Sequence, residues 1–160
     1  MAKIIIDEPC LTLPLVINYV GPKPENIYFE MKNMLKRVFG VEDKNIEERE
    51  LRWDRSTMEE KFSSTFFVTK YLTETTYIFV EIKIDGSTKP SKEFEREGKV
   101  SILIDPRIKN TTMETSFIAG LFGFVYRRHL EAEINKYKDE CKQIISLLEN
   151  NIKNFLNIRV

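Results

Sequence analysis

From residue 107 onward the chain contains no proline, and no other feature restricts its fold as much. Leu130, Ile134, Tyr137, Cys141, Ile144, Leu148, Ile152 and Phe155 recur there at steps of three or four. That is the apolar stripe of an amphipathic helix, close to a heptad seam. Glu131, Glu133, Lys136, Lys138, Asp139, Glu140 and Lys142 fall off the stripe. Roughly forty residues of α-helix would run about 60 Å, more than one small sheet can cover. The helical region must therefore break near Arg127–Leu130 or carry its far half, 130–157, beyond the core. In the second case the seam would pair with itself or with a partner helix.

The start of this region is apolar. Residues 117–126 carry no charge, and then Arg127, Arg128 and His129 arrive together. A membrane span needs about 20 apolar residues, so this run is about half long enough. It reads instead as buried first turns, with Phe117, Leu121 and Phe124 facing a sheet. Gly120 and Gly123 each cost a helix about 1 kcal/mol relative to alanine, which suggests close packing or a break. Arg127 and Arg128 mark the exit from the core and offer contacts to an acidic partner, although Glu131 and Glu133 offset them locally.

Upstream, the pattern has period two. Leu11–Val20 reads as a first strand ended by Gly21-Pro22. Pro24 suits the first turn of a helix, and Ile27, Met31, Met34, Leu35 and Val38 follow at helical spacing up to a stop at Gly40. Asn45–Trp53 is a polar strand candidate suited to a sheet edge. If it is regularly extended, Glu47, Arg49, Leu51 and Trp53 share one side. Lys61–Leu72 places Phe62, Phe66 and Val68 on one face, with a turn at Thr73-Glu74. Ile78, Val80, Ile82 and Ile84 then alternate with Tyr77, Phe79, Glu81 and Lys83. Asp85-Gly86 is a turn signal, and 87–98 reads as a polar loop. A last strand runs from Lys99 to Asp105, closed by Pro106.

Consecutive strands joined by short turns, with helices segregated, predict an α+β fold. Its curved antiparallel sheet of about five strands packs on a long C-terminal helical region. The 160 residues suit a single domain. This order of elements resembles the helix-grip fold of the START-like superfamily, in arrangement and without a shared motif. The resemblance implies an apolar or lipid-like ligand held between sheet and final helix, with Phe66, Ile82, Phe117, Leu121 and Phe124 lining the cavity.

Lys+Arg and Asp+Glu both number 25, which argues against a dedicated nucleic-acid binder. The Lys-, Glu- and Ile-rich composition points toward a thermophilic source. The N-terminal twenty residues, broken by Asp7, Glu8, Pro9 and Pro14, do not read as a leader, so the expected location is cytoplasmic and no transmembrane segment is expected. Cys10 and Cys141 form no CxxC motif. The plainer reading is two reduced thiols, with one disulfide left open because sequence does not give their distance.

Catalytic signatures are missing. His129 is the single histidine, and one His with two Cys matches no zinc spacing. No GxxxxGK[ST] or GxGxxG occurs, so the usual phosphate cradles are lacking and no cofactor is expected. The carboxylates between Glu47 and Glu60 read as a charged edge. Trp53 lies among Arg52, Asp54 and Arg55, where it would serve either as a contact residue or as a cap on the core edge. Two functions follow. The first is a non-catalytic interaction module, self-associating or binding a helical partner through Trp53, Arg127, Arg128, Leu130, Ile134, Tyr137 and Leu148. The second is the START-like binder of an apolar small molecule. Nothing in the residues supports an enzyme.

Overall fold

In a computed structural model, the backbone of residues 2–113 and 116–157 is described, together with the side chains of 6–111, 128 and 131–157. The chain is an α+β fold. Strands β1 (Ala2–Pro9) and β2 (Leu15–Pro22) come first, then helix α1 (Asn26–Phe39) and a 3-10 turn at Asp43–Asn45. Strands β3 (Ile46–Asp54), β4 (Glu60–Tyr71), β5 (Thr76–Ser91) and β6 (Glu95–Met113) precede helix α2 (Ser116–Phe155). All pairings are antiparallel, and the six strands run β1-β6-β5-β4-β3, with β2 also on β6. β1 and β2 thus share one edge line of β6.

The alternation read in the sequence builds the core. Phe62, Phe66, Val68, Ile78, Val80, Ile82, Ile84, Val100, Ile102, Ile104 and Ile108 point to one face and are buried. α1 covers that face with Ile27, Met31, Met34, Leu35 and Phe39. Gly40 ends α1 in the left-handed region at φ 66°, as a helix-stopping glycine should. Lys70 Nζ donates to the Phe39 carbonyl at 2.6 Å, satisfying one of the helix's terminal acceptors.

α2 is one helix of 40 residues. Its Ile134, Cys141, Ile145, Leu148 and Ile152, and Leu156 just past its end, are buried in the same core as α1. The stripe drifts from a strict heptad because a straight helix turns every 3.6 residues. Ile145 therefore enters the core fully where Ile144 is half-buried, and Phe155 stays 42% exposed. Ile134, Tyr137 and Leu148 face the domain's own core. Phe117, Leu121, Phe124, Arg127, His129 and Leu130 lie outside the described side chains, and Arg128 is exposed.

Several expectations are corrected. The first strand begins at Leu15, and a further strand, β1, precedes it. Pro9 and Pro14 bracket the break between them. The Asp85-Gly86 turn and the 87–98 loop do not form, because β5 runs through to Ser91 and β6 starts at Glu95. The actual turn is Lys92–Phe94, where the Ser91 hydroxyl accepts from the Glu93 and Phe94 backbone N–H groups. Gly86 and Gly98 are close-approach positions: a Cβ on Gly98 would lie 2.0 Å from the Ser87 carbonyl oxygen, and one on Gly86 2.5 Å from that of Lys99.

Pro106 does not end its strand. Its carbonyl accepts from Cys10 N–H at 2.9 Å, so its nitrogen also points to the edge where β1 and β2 leave a gap. The thiols are not reduced either: Cys10 and Cys141 are joined by a disulfide, Cα to Cα 6.3 Å, both buried. Lys138, one turn before Cys141, pairs with Glu8 at 2.6 Å, so two links tie α2 to the β1 end.

Candidate functional site

Both helices cover one face of the sheet, and the described side chains of the other face point away from them. Register places that outer face in rows across the strands. Tyr71, Tyr77, Lys109 and Asp7 form one row. The next holds Thr69, Phe79 and Arg107. Glu47, Phe67, Glu81 and Asp105 follow, and then Arg49, Thr65, Lys83, Leu103 and Val16. Beyond them come Ser63, Asp85, Ser101 and Asn18.

Aromatic rings occupy the middle of this face. Phe67 stacks on Phe79 with centroids 5.5 Å apart, and Tyr71 packs on Tyr77 at 5.3 Å. Cations cap the rings: Arg49 lies 5.0 Å over Phe67 and Lys109 4.3 Å over Phe79. Tyr71 is 60% exposed and Val16 50%, whereas the phenylalanine rings are half-buried. Arg49 donates two hydrogen bonds to Glu47, at 2.7 and 2.9 Å. That contact holds the Glu47 carboxyl below the usual carboxylate range and raises the arginine. Lys83 pairs with Glu81 at 3.4 Å and Arg107 with Asp7 at 2.6 Å. These ion pairs are exposed, so each contributes little to stability. They leave the face charged: Arg107 stands in one row, Glu47, Glu81 and Asp105 in the next, Arg49 and Lys83 in the third and Asp85 in the fourth, while the row of Lys109 and Asp7 carries both signs.

Trp53 lies on the opposite face from the one its spacing predicts. A bulge falls between Arg49 and Arg52, with Glu50 at φ 59°. One extra residue reverses the alternation, so Trp53 turns inward beside Phe62 rather than outward with Glu47 and Arg49. Its ring stacks on Phe62 at 5.1 Å and meets Tyr28 at 5.7 Å, and its indole N–H donates to Glu60 at 3.1 Å. Trp53 is thus a half-buried cap on the core edge, in contact with the exposed Phe29. Tyr28 in the same cluster is pushed up to about 12 by burial and by its hydrogen bond to Glu48.

Beside this cluster, Arg96 sits between two carboxylates. It contacts Glu60, lies 3.7 Å from Glu25, and donates to the Thr88 hydroxyl at 3.2 Å. The second Glu25 oxygen, Oε2, is buried without a hydrogen-bond partner. The group fastens the α1 N-terminus to β4, β5 and β6. On the outer side of that end an open cleft of about 610 Å³ runs past Asn18, Val20, Glu59, Lys61, Ser87 and Lys99. Its charged lining mixes the cations Lys61 and Lys99 with the carboxylates Glu59 and Asp85. Among the described residues no group of three or more His, Cys, Asp or Glu is placed to hold a metal ion.

Of the residues expected to line a ligand cavity, Phe66 and Ile82 are 2% and 0% exposed within the packed core. The outer aromatic face escaped the sequence reading because its residues alternate with the core residues and looked like a mixed, solvated side. The signal present was Phe67, Tyr77 and Phe79 at positions where polar residues suffice. Among the described residues, no helix is long and apolar enough to cross a membrane.

No protein-family model and no curated protein matches the chain. Among solved structures, a delta-endotoxin is 7% identical over 76% of this chain, with a TM-score of 0.31. This chain covers 65% of the endotoxin's length. A Staphylococcus aureus protein of unknown function is 10% identical, covering 91% of this chain and 93% of its own, also with a TM-score of 0.31. Likeness at this level carries no argument about fold or function.

Proposed function

We propose that the protein is a non-catalytic interaction module that docks a protein partner on the outer face of its sheet. One observation carries the reading. α1 and α2 pack on the same face, while the other presents the Phe67, Phe79, Tyr77 and Tyr71 rings rimmed by paired charges. Aromatic and arginine groups within a polar rim are the usual anchors of protein interfaces. The interspersed Glu47, Glu81 and Asp105 carboxylates disfavour a phosphate backbone, which supports a protein rather than a nucleic-acid partner.

The helix seam is a weaker candidate for the docking surface, since Ile134, Tyr137 and Leu148 pack inside the domain. The apolar-ligand reading is weaker too, since Ile27, Met31, Leu35, Ile82 and Leu148 fill the space between sheet and helices at 0% exposure.

A photo-crosslinking residue at position 79, compared with one at the exposed Lys142 of α2, tests the docking surface in cells of the source organism. A discrete protein adduct at 79 that is weak or missing at 142 is expected. No adduct at 79, or equal adducts at both, overturns the reading.

A further inference from the structure

We infer that the partner of the outer sheet face is a second copy of this chain, related by a two-fold axis lying across the strands. The inference rests on the docking reading above and deepens it. Its basis is the sign of each row. Glu47, Glu81 and Asp105 form a negative row, and Arg49 and Lys83 form the adjacent positive row. Rows on one face are two residues apart along a strand, about 6.8 Å.

Place the axis midway between these two rows, parallel to them. A half-turn then inverts position along each strand and keeps position across the sheet. The negative row of one copy therefore meets the positive row of the other. Glu47 comes opposite Arg49, and Glu81 opposite Lys83, twice each by symmetry, while Asp105 comes opposite Leu103. In the next rows Arg107 of one copy comes one strand across from Asp85 of the other, and only at the far ends of the face do like charges, Lys109 and Lys99, come opposite one another. Phe67 then lies beside the axis on both copies, with Phe79 one row further out. Arg52, past the bulge on the edge strand, departs from the pattern only at the rim.

A pattern of bands that alternate in sign is complementary to itself under this operation, whereas a face of one sign would repel its copy. The chain as a whole is balanced, with 25 cations and 25 carboxylates, so no long-range repulsion opposes association. Area is adequate as well. Over five strand positions, four to six rows span roughly 650 to 1,000 Å², which brackets the roughly 800 Å² per partner of a standard interface. Two sheets facing each other in this way keep their strands within about 30° of alignment, as in ordinary sheet packing.

The edges argue against growth by strand addition. β3 is charged and bulged, and β1 and β2 are interrupted by prolines, which are devices that protect edges from pairing. Association through the face closes at two copies.

The test is sedimentation equilibrium on the purified chain, with Glu81→Lys, Lys83→Glu and the double exchange Glu81→Lys/Lys83→Glu. Each single reversal sets like charges opposite one another at two symmetric places and should weaken the dimer at least about tenfold. The double exchange restores opposite signs across the axis and should recover dimerisation to within about threefold of the parent. Circular dichroism of each variant checks that these surface changes leave the fold intact. A parent chain that stays monomeric at several hundred micromolar overturns the inference, on the ordinary affinity scale. So does a double exchange that stays as weak as the single reversals. A position-79 adduct to a different protein, with a monomeric parent, would sink the two-fold pairing and leave the docking reading standing.

Discussion

Tyr28 shows how one side chain reports on its surroundings. Burial and the hydrogen bond to Glu48 push it up to about 12, from an ordinary 10.0. The neutral phenol is the form the folded state favours. Its contribution is therefore fully present below the unfolded value and is lost as pH rises through the folded one. The window runs from 10.0 to about 12. In a titration of tyrosinate absorbance, Tyr28 should ionise last, and Tyr28→Phe should remove that late step. A Tyr28→Phe titration curve that keeps the late step would refute the assignment. Gly98 tests steric closeness: a methyl group there meets the Ser87 carbonyl at 2.0 Å, backbone against backbone, with no flexible side chain to move. Gly98→Ala should cost about 3 kcal/mol or more in urea unfolding, at the upper end of overpacking effects. A loss under about 0.5 kcal/mol, the size of an ordinary surface change, would show that the two strands are not so close. Residues of this kind also mark the limit of sequence reading. Regular alternation puts Trp53 on one side with Glu47 and Arg49, and only the bulge with the left-handed Glu50 separates them. A glutamate there gives no warning, because glycine or asparagine is the usual sign of a positive φ.

At the scale of elements, β4, α1 and the first half of β5 were legible because their apolar residues keep an unbroken period. The rest of β5 and β6 was not. Asp85-Gly86 and Pro90 carry strong turn chemistry, yet pairing with β4 and β6 holds the backbone extended past Asp85-Gly86, and pairing with β6 alone carries it past Pro90. β1 was missed because Pro9 and Pro14 divide what becomes one edge into two strands. The disulfide could not be read from spacing at all, since 131 residues separate its ends. It joins the β1–β2 connection to the middle of α2, which makes it the main covalent restraint on that helix. Closing so long a loop restricts the unfolded chain by about 3–5 kcal/mol. Cys10→Ala/Cys141→Ala should therefore lower the melting temperature by roughly 10 °C for a chain of this size. Equal melting temperatures for variant and parent would mean that the two sulfurs are not bonded in the folded protein. Bonds of this kind persist in oxidising compartments and in the interior of hyperthermophiles. The reading of Cys10 and Cys141 as two reduced thiols therefore falls away.

For the whole molecule, the two-fold pairing makes salt a discriminating variable. The rows at the axis are exposed ion pairs, and exposed charges are screened. Raising ionic strength from about 0.1 M to 1 M shortens the Debye length from about 10 Å to about 3 Å. Charge bands that meet across a dyad at this spacing should then lose roughly tenfold in dimer affinity. The aromatic centre behaves oppositely, because burying the Phe67 and Phe79 rings is little affected by screening and falls only when the rings are removed. Phe79→Ala should weaken the dimer at every salt concentration while leaving the slope with salt unchanged. Glu81→Lys should reverse the slope, since screening then relieves a repulsion. The double exchange should return the parent's slope, because the signs across the axis are again opposite. Four sedimentation series against salt separate the two contributions. A Glu81→Lys dimer that weakens with salt as the parent does would show that this row does not face its symmetry mate. The axis would then lie elsewhere on the sheet.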